Sequence, residues 1–176
     1  MLEVEVKYRA DLSAVRHRLA SLGFSLLSLE EEVDIYFQHP CRDFSSTDEA
    51  LRVRISKGGV AVTYKGPRMG VGAKTRVEVS AEASGGVVEI LERLGFARVA
   101  AIRKRREYYR GGGFLVSLDA VEGLGEFVEI EKVVEDASQV AAAVEEIKRL
   151  ASALGLVEEV KETYLELFLN TFKSRG

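Results

Sequence analysis

Polar and apolar residues alternate strictly at the start of the chain. In residues 2–8, LEVEVKY, this period of two predicts a β-strand. Leu2, Val4, Val6 and Tyr8 share one face; Glu3, Glu5 and Lys7 share the other. The period then lengthens. In residues 11–23, DLSAVRHRLASLG, the apolar stripe Leu12, Val15, Leu19, Leu22 predicts a helix, with Asp11 as N-cap and Gly23 as stop. Residues 24–38 read as extended, and 39–49 as a polar loop containing Pro40. ALRVRIS and VAVTYKG are two strands around Lys57-Gly58-Gly59, a hairpin signal. Residues 66–73 read as a linker and KTRVEVSAE, 74–82, as a strand. SGGVVEILERLGF is a second short helix. RVAAIRKRREYYR and FLVSLDAV flank Gly111-Gly112-Gly113 as a second hairpin, and LGEFVEIEKVV is the last strand. DASQVAAAVEEIKRLASALG is the longest helix, and KETYLELFL a short closing helix.

The order is β-α-β-β-β-β-α-β-β-β-α-α. Most gaps between strands are too short for parallel crossovers, so antiparallel pairing is expected in an α+β fold forming one domain over residues 1–176. Each half carries a strand, a helix stopped by Leu-Gly-Phe (Leu22-Gly23-Phe24; Leu94-Gly95-Phe96) and a meander, which suggests a pseudo-symmetric sheet.

The charged face of the first strand recurs. Arg52 and Arg54 share a parity, as do Thr63 and Lys65, Arg76 and Glu78, Lys104 and Arg106, Ser117 and Asp119, and Glu129 and Glu131. For a single strand the simplest reading is a side wetted by solvent. Repeated mid-strand charges two residues apart, rich in Arg, argue for a face that grips planar oxygen groups. If the strands close with these faces inward, Lys7, Arg52, Arg54, Lys65, Arg76, Lys104 and Arg106 crowd one cavity. Glu3, Glu5, Glu78, Asp119, Glu129 and Glu131 relieve part of their repulsion. A polyanionic guest is expected to relieve the rest. A triphosphate with Mg²⁺ or Mn²⁺ suits separate clusters of bases and acids, because such ions take one or two carboxylates plus phosphate oxygens.

Composition narrows the picture. A 176-residue chain that is 47% hydrophobic and 30% charged can bury one core. No apolar stretch nears the ~20 residues of a membrane span, and the acidic, alternating N-terminus does not read as a signal peptide. A lone cysteine, Cys41, fits a reducing cytoplasm. The net charge of -3 does not imply general nucleic-acid affinity. One Asn and two Gln beside many charged residues hint at a thermophilic source. His17 reads as a helix surface residue, and His39 with Cys41 is too small a set for zinc. Arg103-Lys104-Arg105-Arg106 splits between two strand faces rather than forming a nucleic-acid patch.

The residues resemble the CYTH superfamily, the triphosphate tunnel enzymes. Glu3-Val4-Glu5-Val6-Lys7 stands as the family's E-x-E-x-K signature. LRVR, TYKGP, TRVEV, RKRREYY, LDAVEGLGEFVEIE and TYLEL follow in family order, and residues 34–54 look most like proteins named class IV adenylyl cyclases. The resemblance implies a closed tunnel of eight antiparallel strands with helices packed outside. It implies that Glu3, Glu5 and Glu129 bind Mg²⁺ or Mn²⁺, with Asp119 and Glu131 nearby. Phosphates would be bound by Lys7, Arg52, Arg54, Lys65, Arg76, Lys104 and Arg106, with Glu78 at the substrate and Lys161 closing one end. Tyr36 is a candidate substrate contact or a core residue. The activity implied is that of a class IV adenylyl cyclase or a triphosphatase, thiamine triphosphatase-like enzymes included. A noncatalytic triphosphate sensor and an RNA 5′-triphosphatase or RNA-end binder stand as alternatives. A homodimer is a further option, because Leu165, Phe168 and Phe172 offer an apolar surface for the barrel or for a second copy.

Overall fold

A computed structural model describes residues 2–69 and 76–173, with side chains up to residue 171. The strands are β1 (Leu2–Arg9), β2 (Ser25–Gln38), β3 (Ala50–Ser56), β4 (Gly59–Lys65), β5 (Glu78–Ala83), β6 (Ala97–Gly111), β7 (Phe114–Val121), β8 (Gly125–Val134) and β9 (Glu158–Val160). The helices are α1 (Leu12–Ser21), α2 (Val87–Arg93), α3 (Val140–Ala153) and α4 (Tyr164–Lys173). The predicted order holds, with one short strand, β9, added before the last helix. Residues 70–75, which include half of the predicted linker and the start of the strand predicted from Lys74, lie outside the described residues. No helix among the described residues is long and apolar enough to cross a membrane.

All strands join one antiparallel sheet in the order β5-β4-β3-β2-β6-β7-β8-β1-β9. This corrects the expected closed eight-stranded barrel. Among the described residues the sheet has nine strands and two edges, β5 and β9. Its ends approach there at one isolated bridge, Glu3 to Arg76, rather than through a ladder. The reason lies in strand reach: β5 begins only at Glu78, and β1 gives its remaining edge to β9 over Lys7–Arg9 alone.

The sheet order also shows the pseudo-symmetry expected from the two halves. β2 pairs β6 at the centre, while the first strand of each half pairs the last strand of the other: β1 with β8, and β5 with β4. The two Leu-Gly-Phe stops are equivalent. Gly23 and Gly95 both take positive φ, and the amides of Phe24 and Phe96 bond back to the carbonyls of Leu19 and Leu91. This is the helix-ending pattern that glycine makes possible. Asp11 caps α1 by accepting from the amides of Ser13 and Ala14.

The outer face of the sheet is apolar and covered. Val4, Val6 and Tyr8 of β1, Val116 and Leu118 of β7, and Val128 and Ile130 of β8 pack against Leu12, Val15 and Leu19 of α1 and Ala143, Ile147 and Ala151 of α3. Ile35, Phe37 and Val53 pack against Val88 of α2. The inner face is divided. At one end it is apolar, with Tyr36, Ala100, Ile102, Val121, Phe127 and Val160, and α4 fills that end with Tyr164, Leu165 and Phe168. Leu165 and Phe168 thus pack on the sheet rather than standing free. The rest of the inner face is charged.

Candidate active site

The charged inner face lines a cavity of about 740 Å³, within the range typical of ligand sites. Alternation places the side chains: β1 aims Glu3, Glu5 and Lys7 inward, β3 aims Arg52 and Arg54, β6 aims Lys104 and Arg106, and β8 aims Glu129 and Glu131. Lys65, Arg76 and Glu78 complete the far wall. These predicted residues therefore share one space. Lys161 does not: it is exposed and outside the cavity lining. Asp119 also lies behind the wall rather than on it, fully buried.

Cross-strand register settles which glutamates cluster. Glu5 stands opposite Glu131, and Lys7 opposite Glu129. Carboxylate oxygens of Glu3, Glu5 and Glu131 all come within 4.8 Å of one another. Glu129 instead takes the Lys7 ammonium at 3.2 Å and the Arg106 guanidinium. Of the five acids expected near the metal, the three whose carboxylates cluster are Glu3, Glu5 and Glu131, while Glu129 turns to the basic side. Asp119 belongs to the basic side as well: Arg106 grips it with Nε at 2.5 Å and with Nη2.

The electrostatics of the two regions differ in sign. Burial, reinforced by Glu78 and Glu5, raises the Glu3 carboxyl to about 7. Burial and the charges of Glu3 and Glu5 push Glu131 well above its usual range. The trio is short of positive charge and fits a hard divalent cation, which prefers carboxylate oxygens shared with phosphate. Deeper in, cations dominate. Burial would raise Asp34, but Lys104, Arg54 and Arg52 hold it far below the usual carboxylate range. Arg54 binds Asp34 with two parallel bonds, 2.7 and 2.9 Å, and Lys104 lies 3.3 Å from it. Glu32 joins this network, accepting from Tyr108 Oη at 2.7 Å and pairing with Arg54 at 3.2 Å. Burial lowers Lys104, with Arg106 adding to the effect. Burial would lower Arg106 too, but Asp119 and Glu129 raise it well above its ordinary value.

Sequence reasoning passed over Asp34, Glu32, Tyr108, Arg68 and Tyr164. Asp34 and Tyr36 do alternate with Ile35 and Phe37, but the run Glu30-Glu31-Glu32 hides the pattern upstream. Tyr36 lines the cavity and is buried, as either of its two readings required. The cavity lining holds eight Lys or Arg and ten Asp or Glu. Carboxylates therefore carry more of the charge relief than expected. An anionic guest enters favourably only if cations accompany it to the Glu3/Glu5/Glu131 end. Arg52 is loosely held among the described residues: its ion pair with Asp34 is 3.9 Å long, and its Nε has no hydrogen-bond partner there. Phe44, Ala50, Val99, Leu165 and Leu169 add an apolar part to the lining.

An α+β sheet curled over paired acids and bases of this kind defines a recognised class. The chain belongs to the CYTH domain family, whose model matches residues 1–164. It is 40% identical over 95% of its length to a Methanocaldococcus jannaschii protein provisionally named an adenylate cyclase, of which it covers 98%. It is 32% identical over 92% of its length to the adenylate cyclase CyaB of Aeromonas hydrophila, covering 84% of that protein. The fold is similar to a solved Pyrococcus horikoshii structure, with TM-score 0.89 and 41% identity, covering 96% of this chain and 99% of that one.

Proposed function

We propose that this chain is a divalent-metal-dependent enzyme that binds a nucleoside triphosphate in the cavity and cyclises ATP to cyclic AMP and pyrophosphate. The observation that carries the reading is the meeting, in one cavity, of a carboxylate trio and a wall of Lys and Arg. The names of the two relatives and the apolar part of the lining, which would suit a nucleoside, favour the cyclase over a purely inorganic substrate.

Glu3, Glu5 and Glu131 would hold Mg²⁺ or Mn²⁺, which when bound supplies Lewis-acid polarisation of phosphate oxygens. Arg52, Arg54, Lys65, Arg76, Lys104, Arg106 and Lys7 would bind the phosphate chain. Asp34 fixes the plane of Arg54, and Asp119 with Glu129 fixes Arg106, so both guanidinium groups are held in place before a guest arrives. Glu78 holds Lys65 at 2.5 Å and Arg76 at 3.6 Å, a positioning role rather than a phosphate contact. In cyclisation the ribose 3′-hydroxyl gives up its proton to water as its oxygen bonds to the α-phosphorus, the bond from that phosphorus to the α–β bridging oxygen breaks, and pyrophosphate leaves with the electron pair. Phosphoryl transfer of this kind depends on positioning and charge neutralisation. The same wall would serve hydrolysis of a terminal phosphate with water as attacker.

A product assay tests the reading. ATP, thiamine triphosphate and inorganic triphosphate are each incubated with Mg²⁺ or Mn²⁺, and the products are separated. Cyclic AMP with pyrophosphate is the expected result. Orthophosphate alone moves the assignment to triphosphatase, and binding without turnover moves it to a sensor.

A further inference from the structure

In the cavity lining, one aromatic side chain meets cations from two strands, β1 and β6. Tyr164, the first residue of α4, is buried. The Lys7 ammonium lies 3.5 Å from its ring centroid, and that of Lys104 lies 5.1 Å away. Its hydroxyl donates to Asp119 at 2.5 Å, the carboxylate that grips Arg106. One side chain thus contacts two lysines through its ring and one arginine through an intervening acid.

The placement of Tyr164 is itself enforced. Phe127 meets its ring edge-on at 5.2 Å. A capping arrangement at the start of α4 has Glu166 accepting from the Thr163 amide at 2.7 Å, and the Glu166 amide donating to Thr163 Oγ1 at 3.1 Å. Arg68 then ties Glu166, at 2.9 Å, to Asp48 of the loop before β3, whose Oδ2 accepts from the Arg68 amide at 2.8 Å. The helix that presents Tyr164 is therefore anchored from two other segments.

Resting on the proposed function, we infer that Tyr164 is a positioning residue for the triphosphate site: its ring seats Lys7 and Lys104, and its hydroxyl orients Arg106 through Asp119. The physical case is that Lys7 and Lys104 are both buried beside one ring, 3.5 and 5.1 Å from its centroid, where little water reaches their ammonium groups. An aromatic face attracts a desolvated cation without adding a negative charge that would repel phosphate. Glu129 already pairs with Lys7, and Glu32 and Asp34 with Lys104, so a further carboxylate there would overcompensate the lysines, and an aliphatic side chain would leave those acids alone to set their positions. Tyrosine also supplies the hydroxyl that phenylalanine lacks.

Three proteins test this: wild type, Tyr164→Phe and Tyr164→Leu. Lysine side-chain NMR reads the ring contact without any substrate. The Lys7 ε-protons should resonate upfield of the other lysines in wild type and in Y164F, and lose that shift in Y164L. Titration of inorganic triphosphate with Mn²⁺ reads the consequence. Kd should rise on the order of 10-fold or more in Y164L, the scale of a lost desolvated cation–π contact. It should rise by about 3-fold in Y164F, the scale of one lost hydrogen bond. Mn²⁺ affinity without triphosphate should stay within about 2-fold in Y164F, which a general collapse of the site would not allow. An unshifted Lys7 signal in wild type overturns the inference, and so does equal triphosphate affinity in all three proteins. If Y164L fails to fold, the wild-type and Y164F spectra and affinities decide the matter. If wild type shows the upfield signal but binds no triphosphate, the proposed function fails, and with it the role assigned to Tyr164 in that site, while the ring contact stands.

Discussion

Glu131→Gln is expected to lower metal-dependent turnover on the order of 100-fold or more while making the metal-free protein more stable at pH 8. The first effect follows from the cluster of Glu3, Glu5 and Glu131, which loses one of its three carboxylates. A bound ion contributes several kcal/mol of transition-state stabilisation, and each ~1.4 kcal/mol is tenfold in rate. The second effect follows from burial. Glu131 is held protonated well above its usual range, and Glu3 up to about 7, both from an ordinary value of 4.5. The folded protein therefore keeps protons that the unfolded chain has released. Stability from these groups is complete below the ordinary carboxylate range and falls as pH rises through about 7. Melting curves of the metal-free wild type should show Tm declining from pH 5 to pH 8, with Mn²⁺ restoring it most at the alkaline end. In Glu131→Gln the decline should flatten. A variant that loses neither activity nor pH dependence would remove Glu131 from the cluster.

Asp34→Ala should be the most destabilising single change within the cavity. Asp34 is the shared partner of Arg54, Lys104 and, at longer range, Arg52. Its removal leaves cations buried with only Glu32 to pair with two of them. Breaking such a buried pair costs about 3–5 kcal/mol. At this chain length each kcal/mol moves Tm by ~2–4 °C, so a fall of roughly 6–20 °C is expected. A high concentration of sulfate or inorganic phosphate should recover part of the loss by occupying the freed donors. Thermal denaturation with and without sulfate measures both. A shift of less than about 2 °C would mean that Asp34 contributes nothing net to this network.

These two residues mark what the sequence disclosed and what it withheld. The charged inner face was legible because a strand repeats every two residues, so Glu3, Glu5, Lys7, Arg52, Arg54, Lys104 and Arg106 announce a common face. The helices were legible because Asp11, Gly23 and Gly95 mark their ends. Which of Glu129 and Glu131 joins Glu3 and Glu5 was not legible. Both lie on the same face, and only the pairing of β1 with β8 sets Glu131 opposite Glu5 and Glu129 opposite Lys7. Register between strands separated by more than a hundred residues leaves no local trace. Asp119 carried the right charge and parity for the cavity, yet Arg106 and Tyr164, which line it, occupy Asp119 and cover it. Sheet closure was also illegible, because it depends on how far β5 and β9 extend, and a three-residue strand has too little period to read. Lys161 follows β9 directly, and the end of that short strand leaves it exposed.

The central claim is that metal and triphosphate are held together, the metal by Glu3, Glu5 and Glu131 and the phosphates by the facing cations. Calorimetric titration of a non-hydrolysable ATP analogue into the wild-type protein, with Mn²⁺ and then with a chelator, tests it directly. One site per chain, at least tenfold tighter with Mn²⁺ and losing that enhancement in Glu131→Gln, is the predicted result. No binding in the presence of Mn²⁺, or binding indifferent both to the metal and to Glu131, would contradict it.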